Sequence, residues 1–224
     1  MYHHTSDELV VLNYNDGMKT SLFNSIPSHV ICVAVSKHRS VQEIEALNVL
    51  GVADFGENKV QELLSKAKVG QPWKWHFVGH LQTNKVKVLL PWVSLIHSVD
   101  SMKLLKVIDQ EARKLDIVVS VLLQLNLTRE ASKYGMDEET LEEIIKHEND
   151  FPNVKIKGLM VMGPSNGDHE ATRAIFQQAS LISQRIQKNS PHMNVLSMGM
   201  SDDYTIAIEN NATHIRLGRI LFEE

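Results

Sequence analysis

Short apolar runs rich in β-branched residues return along this chain at regular intervals, and a stretch of helical spacing follows each. The first, Val30-Ile31-Cys32-Val33-Ala34-Val35, runs out on Ser36 and Lys37. Residues 41–50 then place Val41, Ile44, Leu47 and the Val49-Leu50 pair on a helical face, and Gly51 stops the helix. The same reading puts strands at 52–55, 74–78, 93–99, 117–125, 154–161, 194–197 and 213–217. Helices fall between them at 58–68, 84–90, 101–115, 137–148, 168–187 and 202–210. Runs that are hydrophobic on both faces mark parallel strands covered by helices. About eight such units in 224 residues predict an α/β fold, a single (β/α)8 TIM-type barrel, with an open doubly wound sheet as the alternative. Neither a linker nor a repeat interrupts the rhythm, so residues 1–224 read as one domain. Residues 1–27 read as an N-terminal helical segment with Gly17 as a break.

Composition excludes several classes of function. Hydrophobic content of 43% and charged content of 22% are ordinary for a globular chain. A net charge of −4 argues against a nucleic-acid binder that works by neutralising phosphates. The chain has no apolar run near the ~20 residues that cross a bilayer. Met1 to Glu8 lacks the basic and apolar regions of a signal peptide, so a cytoplasmic protein with no membrane partner is expected. The single cysteine, Cys32, lies inside an apolar strand and reads as a small core residue rather than a nucleophile. His76, His80 and His97 lack the spacing of a metal site, and no metal is expected.

Parallel barrels carry their chemistry at the carboxyl ends of the strands. Polar residues and glycines gather there in this sequence: Ser36 and Lys37, Glu57 and Asn58, Gly79 and His80, Asn126, Met162 and Gly163, Met198 to Ser201, and Gly218. Taken singly, each has a plain reading as well. Lys37 suits a strand-end lysine lifting its charge to solvent, Arg216 a rim salt bridge and Asn58 a helix cap. Ser201 before Asp202 and Asp203 makes a good helix start, and Glu57 and Asp100 suit structural polar roles.

Seven segments together carry more. Ala34-Val35-Ser36-Lys37, Phe55-Gly56-Glu57-Asn58-Lys59-Val60-Gln61-Glu62 and Trp75 through Lys85 come first. Ile96-His97-Ser98-Val99-Asp100, Gly158-Leu159-Met160, Ser197 through Asp203 and Ile215-Arg216-Leu217-Gly218 follow. In this order and spacing the chain resembles the pyridoxal phosphate homeostasis protein family from Val30 to Phe222. The resemblance implies the fold-type III barrel shared with the N-terminal domain of alanine racemase, and pyridoxal 5′-phosphate as cofactor. It makes Lys37 the residue that holds the cofactor aldehyde as a Schiff base, where apolar walls would disfavour its charged form. The cofactor phosphate falls to the Ser201 hydroxyl and the backbone amides of Gly218 and Arg219, with Ser197 supporting that loop. Arg216 resembles the arginine facing the pyridine nitrogen; a fixed cation there makes the ring a poorer electron sink. Asn58 resembles the asparagine beside the ring and its 3-hydroxyl, and Met200 packs near ring and phosphate. The chain departs from the family pattern at Val161-Met162-Gly163-Pro164 and in the shorter region before Ser28.

Two functions follow from the resemblance. The first is a protein that binds, buffers and passes on pyridoxal phosphate without turnover, acting as a monomer, with apoenzymes that need the cofactor as partners. The second is an amino-acid racemase of the related fold. A racemase needs a second base, a tyrosine brought by a separate β-domain. Tyr2, Tyr14, Tyr134 and Tyr204 sit in no matching context, and the carrier is the expectation.

Overall fold

In the computed structural model of this chain, residues 21–128, 130 and 133–222 are described. Eight parallel strands pair each with the next, and the last with the first, to close a barrel. The strands are β1 (Ile31–Val35), β2 (Asp54–Glu57), β3 (Lys74–Phe77), β4 (Leu95–Val99), β5 (Val119–Leu125), β6 (Val154–Val161), β7 (Val195–Ser197) and β8 (His214–Leu217). Between and after them run α1 (Val41–Val49), α2 (Val60–Lys66), α3 (Val86–Leu89), α4 (Met102–Lys114), α5 (Glu138–Lys146), α6 (His169–Asn189), α7 (Tyr204–Glu209) and α8 (Arg219–Phe222). The open sheet is thereby set aside. Of the N-terminal segment read as helical, residues 21–25 are helix, and the portion before residue 21 lies outside the described residues.

Local chemistry starts the helices where the sequence places them. Ser40 and Glu43 form a reciprocal capping box at α1, and Ser101, Asp137 and Asp168 each accept a backbone N–H at the starts of α4, α5 and α6. Two readings shift. The second strand, read at 52–55, forms at Asp54–Glu57 because the buried carboxylate of Glu57 finds donors beneath the helices. The helix read at 84–90 divides into a 3-10 turn at Thr83–Lys85, the single turn α3 and a second 3-10 turn at Leu90–Trp92. Pro91, which has no N–H to continue the ladder, lies in that last turn.

The core has two parts. Outside the barrel wall, Ile44, Leu63, Leu105, Ile108, Leu141 and Phe176 of the helices cover Ala34, Phe55, Phe77, Ile96 and Leu123 of the strands. Each such side chain contributes roughly 1.5–3 kcal/mol by leaving water. Inside the wall, Leu95, Leu122 and Met160 plug the lumen. Register partners share a face, so Val33 with Arg216, Gly56 with His76, and Met160 with Ser197 look inward. A barrel wall that sends histidine, serine and arginine inward must satisfy them there.

Candidate functional site at the carboxyl ends of the strands

The mouth is organised by β8, β1 and β2, which lie side by side. Lys37 follows β1 in the inward-facing series of Val33 and Val35, and its ammonium makes no ion pair among the described residues. It is exposed, not enclosed by apolar walls as the sequence suggests. Its chain neighbours are clamped from behind. The Ser36 carbonyl accepts from Lys66 Nζ at 2.7 Å, and the His38 amide donates to Glu62 Oε1. Lys66 also donates to Glu57 Oε1 at 2.7 Å and to Glu62 Oε1 at 2.9 Å. Burial pushes the Glu57 carboxyl above its ordinary range, and the Lys66 and Ser36 donors pull the other way. Glu57 is therefore a structural anchor under the Lys37 turn, as its sequence context suggests.

Asn58 continues β2. Its Oδ1 is buried with no hydrogen-bond partner among the described residues, and α2 begins at Val60 with Lys59 at its N-cap and no side-chain cap, so Asn58 caps nothing. Its backbone presses on the next strand: a Cβ on Gly79 would lie 2.1 Å from the Asn58 carbonyl oxygen, so only glycine fits there. Across the mouth, Gly199 adopts φ +95°, and the chain turns through Met200 and Ser201. The Met200 amide donates to Asp203 Oδ1 at 2.6 Å, and the Met200 side chain is 40% exposed. Ser201 is half-buried with its hydroxyl uncommitted among the described residues; it does not cap α7, which starts after Asp203. An ion pair between the exposed side chains of Arg219 and Asp202 ties this turn to the end of β8.

The amides of Gly218 and Arg219 precede the first internal bonds of α8, those from Leu221 and Phe222 to the Gly218 carbonyl. Opening N–H groups of this kind suit an anion. The fold itself does not demand a glycine at 218. A Cβ there would make ordinary contacts with Val35, at 3.4 and 3.8 Å, yet the backbone is left bare.

Arg216 lies deeper, 5% exposed, so it is no rim salt bridge. Its Nη1 donates to Ser197 Oγ at 2.7 Å and its Nη2 to the Val161 carbonyl at 3.2 Å. Burial lowers the guanidinium to about 10, with Asp203 opposing, so it stays charged at neutral pH. Asp203 is raised by burial, against the Met200 amide and the Arg216 charge. Ser197 therefore differs from its sequence reading. Its hydroxyl serves Arg216 on one side and His97 Nδ1, at 2.9 Å, on the other, and makes no hydrogen bond to Ser201, Gly218 or Arg219 among the described residues.

From His97 the polar contacts continue. His97 Nε2 meets His76 Nδ1 at 2.9 Å, and His76 Nε2 meets Asp54 Oδ1 at 2.9 Å. Burial holds His97 well below the ordinary histidine value, with the charges of His76, Arg216 and His214 adding to the effect. Burial opposes ionisation of Asp54, but the hydrogen bond and charge of His76, with Lys74 and His214, keep its carboxyl below the usual range. Cys32 is pushed up to about 12 by burial and by Asp54, which suits an inert thiol. The sequence weighs His76 and His97 only as metal ligands and misses this arrangement. The available signal is a histidine at an inward position in each of two neighbouring strands, His76 between Trp75 and Phe77 and His97 between Ile96 and Ser98.

Among the described residues, an amine without an ion pair, a buried carbonyl oxygen without a donor, an uncommitted hydroxyl beside opening amides and a fixed interior cation suit one ligand type. It bears an electrophilic carbon, a donor group and an anion. A cavity of about 400 Å³ among Asp109, Arg113, Glu143 and His147 lies on the outer wall between α4 and α5, away from the mouth, and offers no such set.

A closed parallel barrel with its polar groups at this rim defines a class, and residues 24–224 match the family described as alanine racemase, N-terminal domain. A pyridoxal phosphate homeostasis protein of Aquifex aeolicus is 41% identical over 180 residues, covering 78% of this chain and 78% of that protein. Another, from a Synechocystis species, is 35% identical over 93% of this chain and 98% of its own length. The solved structure of PipY from Synechococcus elongatus, with PLP bound, superposes at a TM-score of 0.85 with 33% identity. It covers 93% of this chain and 99% of that one. The chain belongs to the pyridoxal phosphate homeostasis protein family.

Proposed function

We propose that the chain binds pyridoxal 5′-phosphate at the mouth formed by β8, β1 and β2, and serves intracellular homeostasis of that cofactor by holding and releasing it. Family membership and the PLP-bound relative support the binding and the role. The observation that carries the site is Asn58 Oδ1, a buried acceptor with no donor among the described residues, next to the strand that leads to the amine of Lys37, which makes no ion pair among those residues. The bound group supplies an aldehyde that an amine can attack and a phosphate that seeks donors. Lys37 is the amine, clamped through both chain neighbours. Asn58 accepts from the ring hydroxyl, and Met200 covers the ring. Ser201 and the amides of Gly218 and Arg219 take the phosphate, and Arg216, steadied by Ser197, keeps the ring nitrogen unprotonated.

A lysine exposed at an open rim favours exchange of the cofactor over protected carbanion chemistry. In this reading the protein works in the cytoplasm as a monomer, delivers the cofactor to apoenzymes that need it, and does not turn over amino acids. Borohydride treatment of the PLP-loaded chain should leave a stable mass addition on Lys37, and Lys37→Ala should abolish it while phosphate-mediated binding persists more weakly. Addition at any other lysine would refute the assignment. Incubation with L- and D-amino acids in deuterated water should leave the α-proton in place; rapid stereospecific exchange would make the protein a racemase.

A further inference from the structure

The contacts running inward from Arg216 favour one placement of hydrogens. A guanidinium only donates, so Ser197 Oγ accepts from Arg216 Nη1 and turns its own hydrogen to its remaining partner, His97 Nδ1. His97 Nδ1 must then be bare. A neutral His97 carries its hydrogen on Nε2 and donates it to His76 Nδ1, which leaves His76 to donate from Nε2 to the Asp54 carboxylate. All four bonds, between 2.7 and 2.9 Å, are met with no donor facing a donor. The residues come from β8, β7, β4, β3 and β2, and His97 and Ser197 are 100 positions apart, so the chain of bonds crosses the lumen from the level of the proposed cofactor ring to the start of β2.

We propose that His97, braced by His76 and Asp54, is a positioning residue for the cofactor. It fixes the Ser197 hydroxyl as an acceptor toward Arg216, and so sets the direction in which the guanidinium presents its remaining donors and charge to the ring nitrogen. None of the three touches the cofactor in this reading, which rests on the placement of the ring against Arg216. The alternative placement, with a hydrogen on His97 Nδ1, makes Ser197 Oγ accept twice and strands its hydroxyl hydrogen in the interior, where an unmade bond is costly. With that hydrogen in place a neutral His97 must accept at Nε2 from His76 Nδ1, and His76 then needs a second hydrogen to reach the Asp54 carboxylate, which makes it a cation beside His214. Hydrogens on both nitrogens of His97 would instead set a cation against His76 on β3 and both His214 and Arg216 on β8. A neutral His97 with Nδ1 bare avoids both of these buried cations.

Two measurements test this on the full-length chain. In the cofactor-free protein, ¹⁵N imidazole spectra should show His97 with a bare Nδ1 and a protonated Nε2 from pH 8 down to pH 5.5. A hydrogen on Nδ1 in that range would overturn the proposal. In the PLP-loaded protein, His97→Phe should speed cofactor release about tenfold or more, the effect of losing a hydrogen bond to a charged group. It should also shift the pH midpoint of the visible absorption band. His97→Gln, whose amide supplies one donor and one acceptor, should recover most of both changes. A folded His97→Phe variant with the release rate and pH midpoint of the wild type would sink the idea. If the wild-type chain itself gains no visible band with PLP, the cofactor site is wrong, and the spectra of the cofactor-free protein still decide the hydrogen placement.

Discussion

Lys66 governs the placement of Lys37 from below. Its ammonium, on an 8% exposed side chain, bonds the Ser36 carbonyl, Glu57 and Glu62 together, and Glu62 holds the His38 amide. Replacing it with an apolar isostere removes the donor but leaves the Glu57 carboxylate inside. Lys66→Met should therefore lower stability by about 3–5 kcal/mol in urea unfolding, since one half of a buried pair is left uncompensated. The double variant Lys66→Met with Glu57→Gln should recover a good part of that loss. At this scale the sequence is legible where a residue stands at a strand end. Lys37, Asn58, Ser201 and Gly218 occupy the rim that the alternation of strands and helices predicts. Ser197, His76 and His97 are not legible in the same way. Their partners are chosen by pairings across the lumen, and nothing local in Ile96-His97-Ser98 announces that His97 meets a serine on β7.

At the level of elements, the ends of β2 and β3 are fitted to each other through backbone alone. The approach of the Asn58 carbonyl to Gly79 leaves no room for a methyl group, so Gly79→Ala must displace one strand end or the other. We expect a loss of roughly 1–3 kcal/mol in thermal or urea unfolding, together with weaker PLP retention as Asn58 moves. Unchanged retention in a destabilised Gly79→Ala protein would detach Asn58 from the site. The sequence reads Gly79 correctly as the stop of its strand and is silent on what presses against it. It also sets β2 two residues early, because Gly56-Glu57 does not look like strand until Lys66 and Ser36 supply donors for a carboxylate with no exposure. Helix starts are the best-read feature. Ser101 acts as a cap whose partner amide lies three residues on, a signal contained within one turn.

Across the whole molecule, the buried histidines set how stability responds to acid. His97 lies well below 6.5, and His214 is held at about 4 by burial and by the charge of His76, with Asp54 opposing. The unfolded chain therefore binds more protons than the folded one as pH falls past 6.5. Stability present at pH 7 declines from there and keeps declining down to about pH 4. His214 alone accounts for a loss on the order of 3 kcal/mol over that window. The lowered Asp54 and Glu62 carboxyls act in the same sense at lower pH, and the raised Glu57 and Asp203 act in the opposite one. The urea midpoint at pH 5 should fall clearly below that at pH 7.5; equal midpoints would mean that the lumen admits charge freely.

Closure of β1 on β8 has a consequence in time. Lys37 and Asn58 belong to the opening strands, while Ser201, Arg216 and Gly218 belong to the last ones, and the two groups meet only when the wall is sealed. During translation the amine is made long before the residues proposed as its counterparts, so in that reading the proposed receptor is incomplete until β8 is in place. In the proposed reading, capture of the ligand then reports that β8 has closed on β1, and in refolding the yellow colour should appear with the slowest phase.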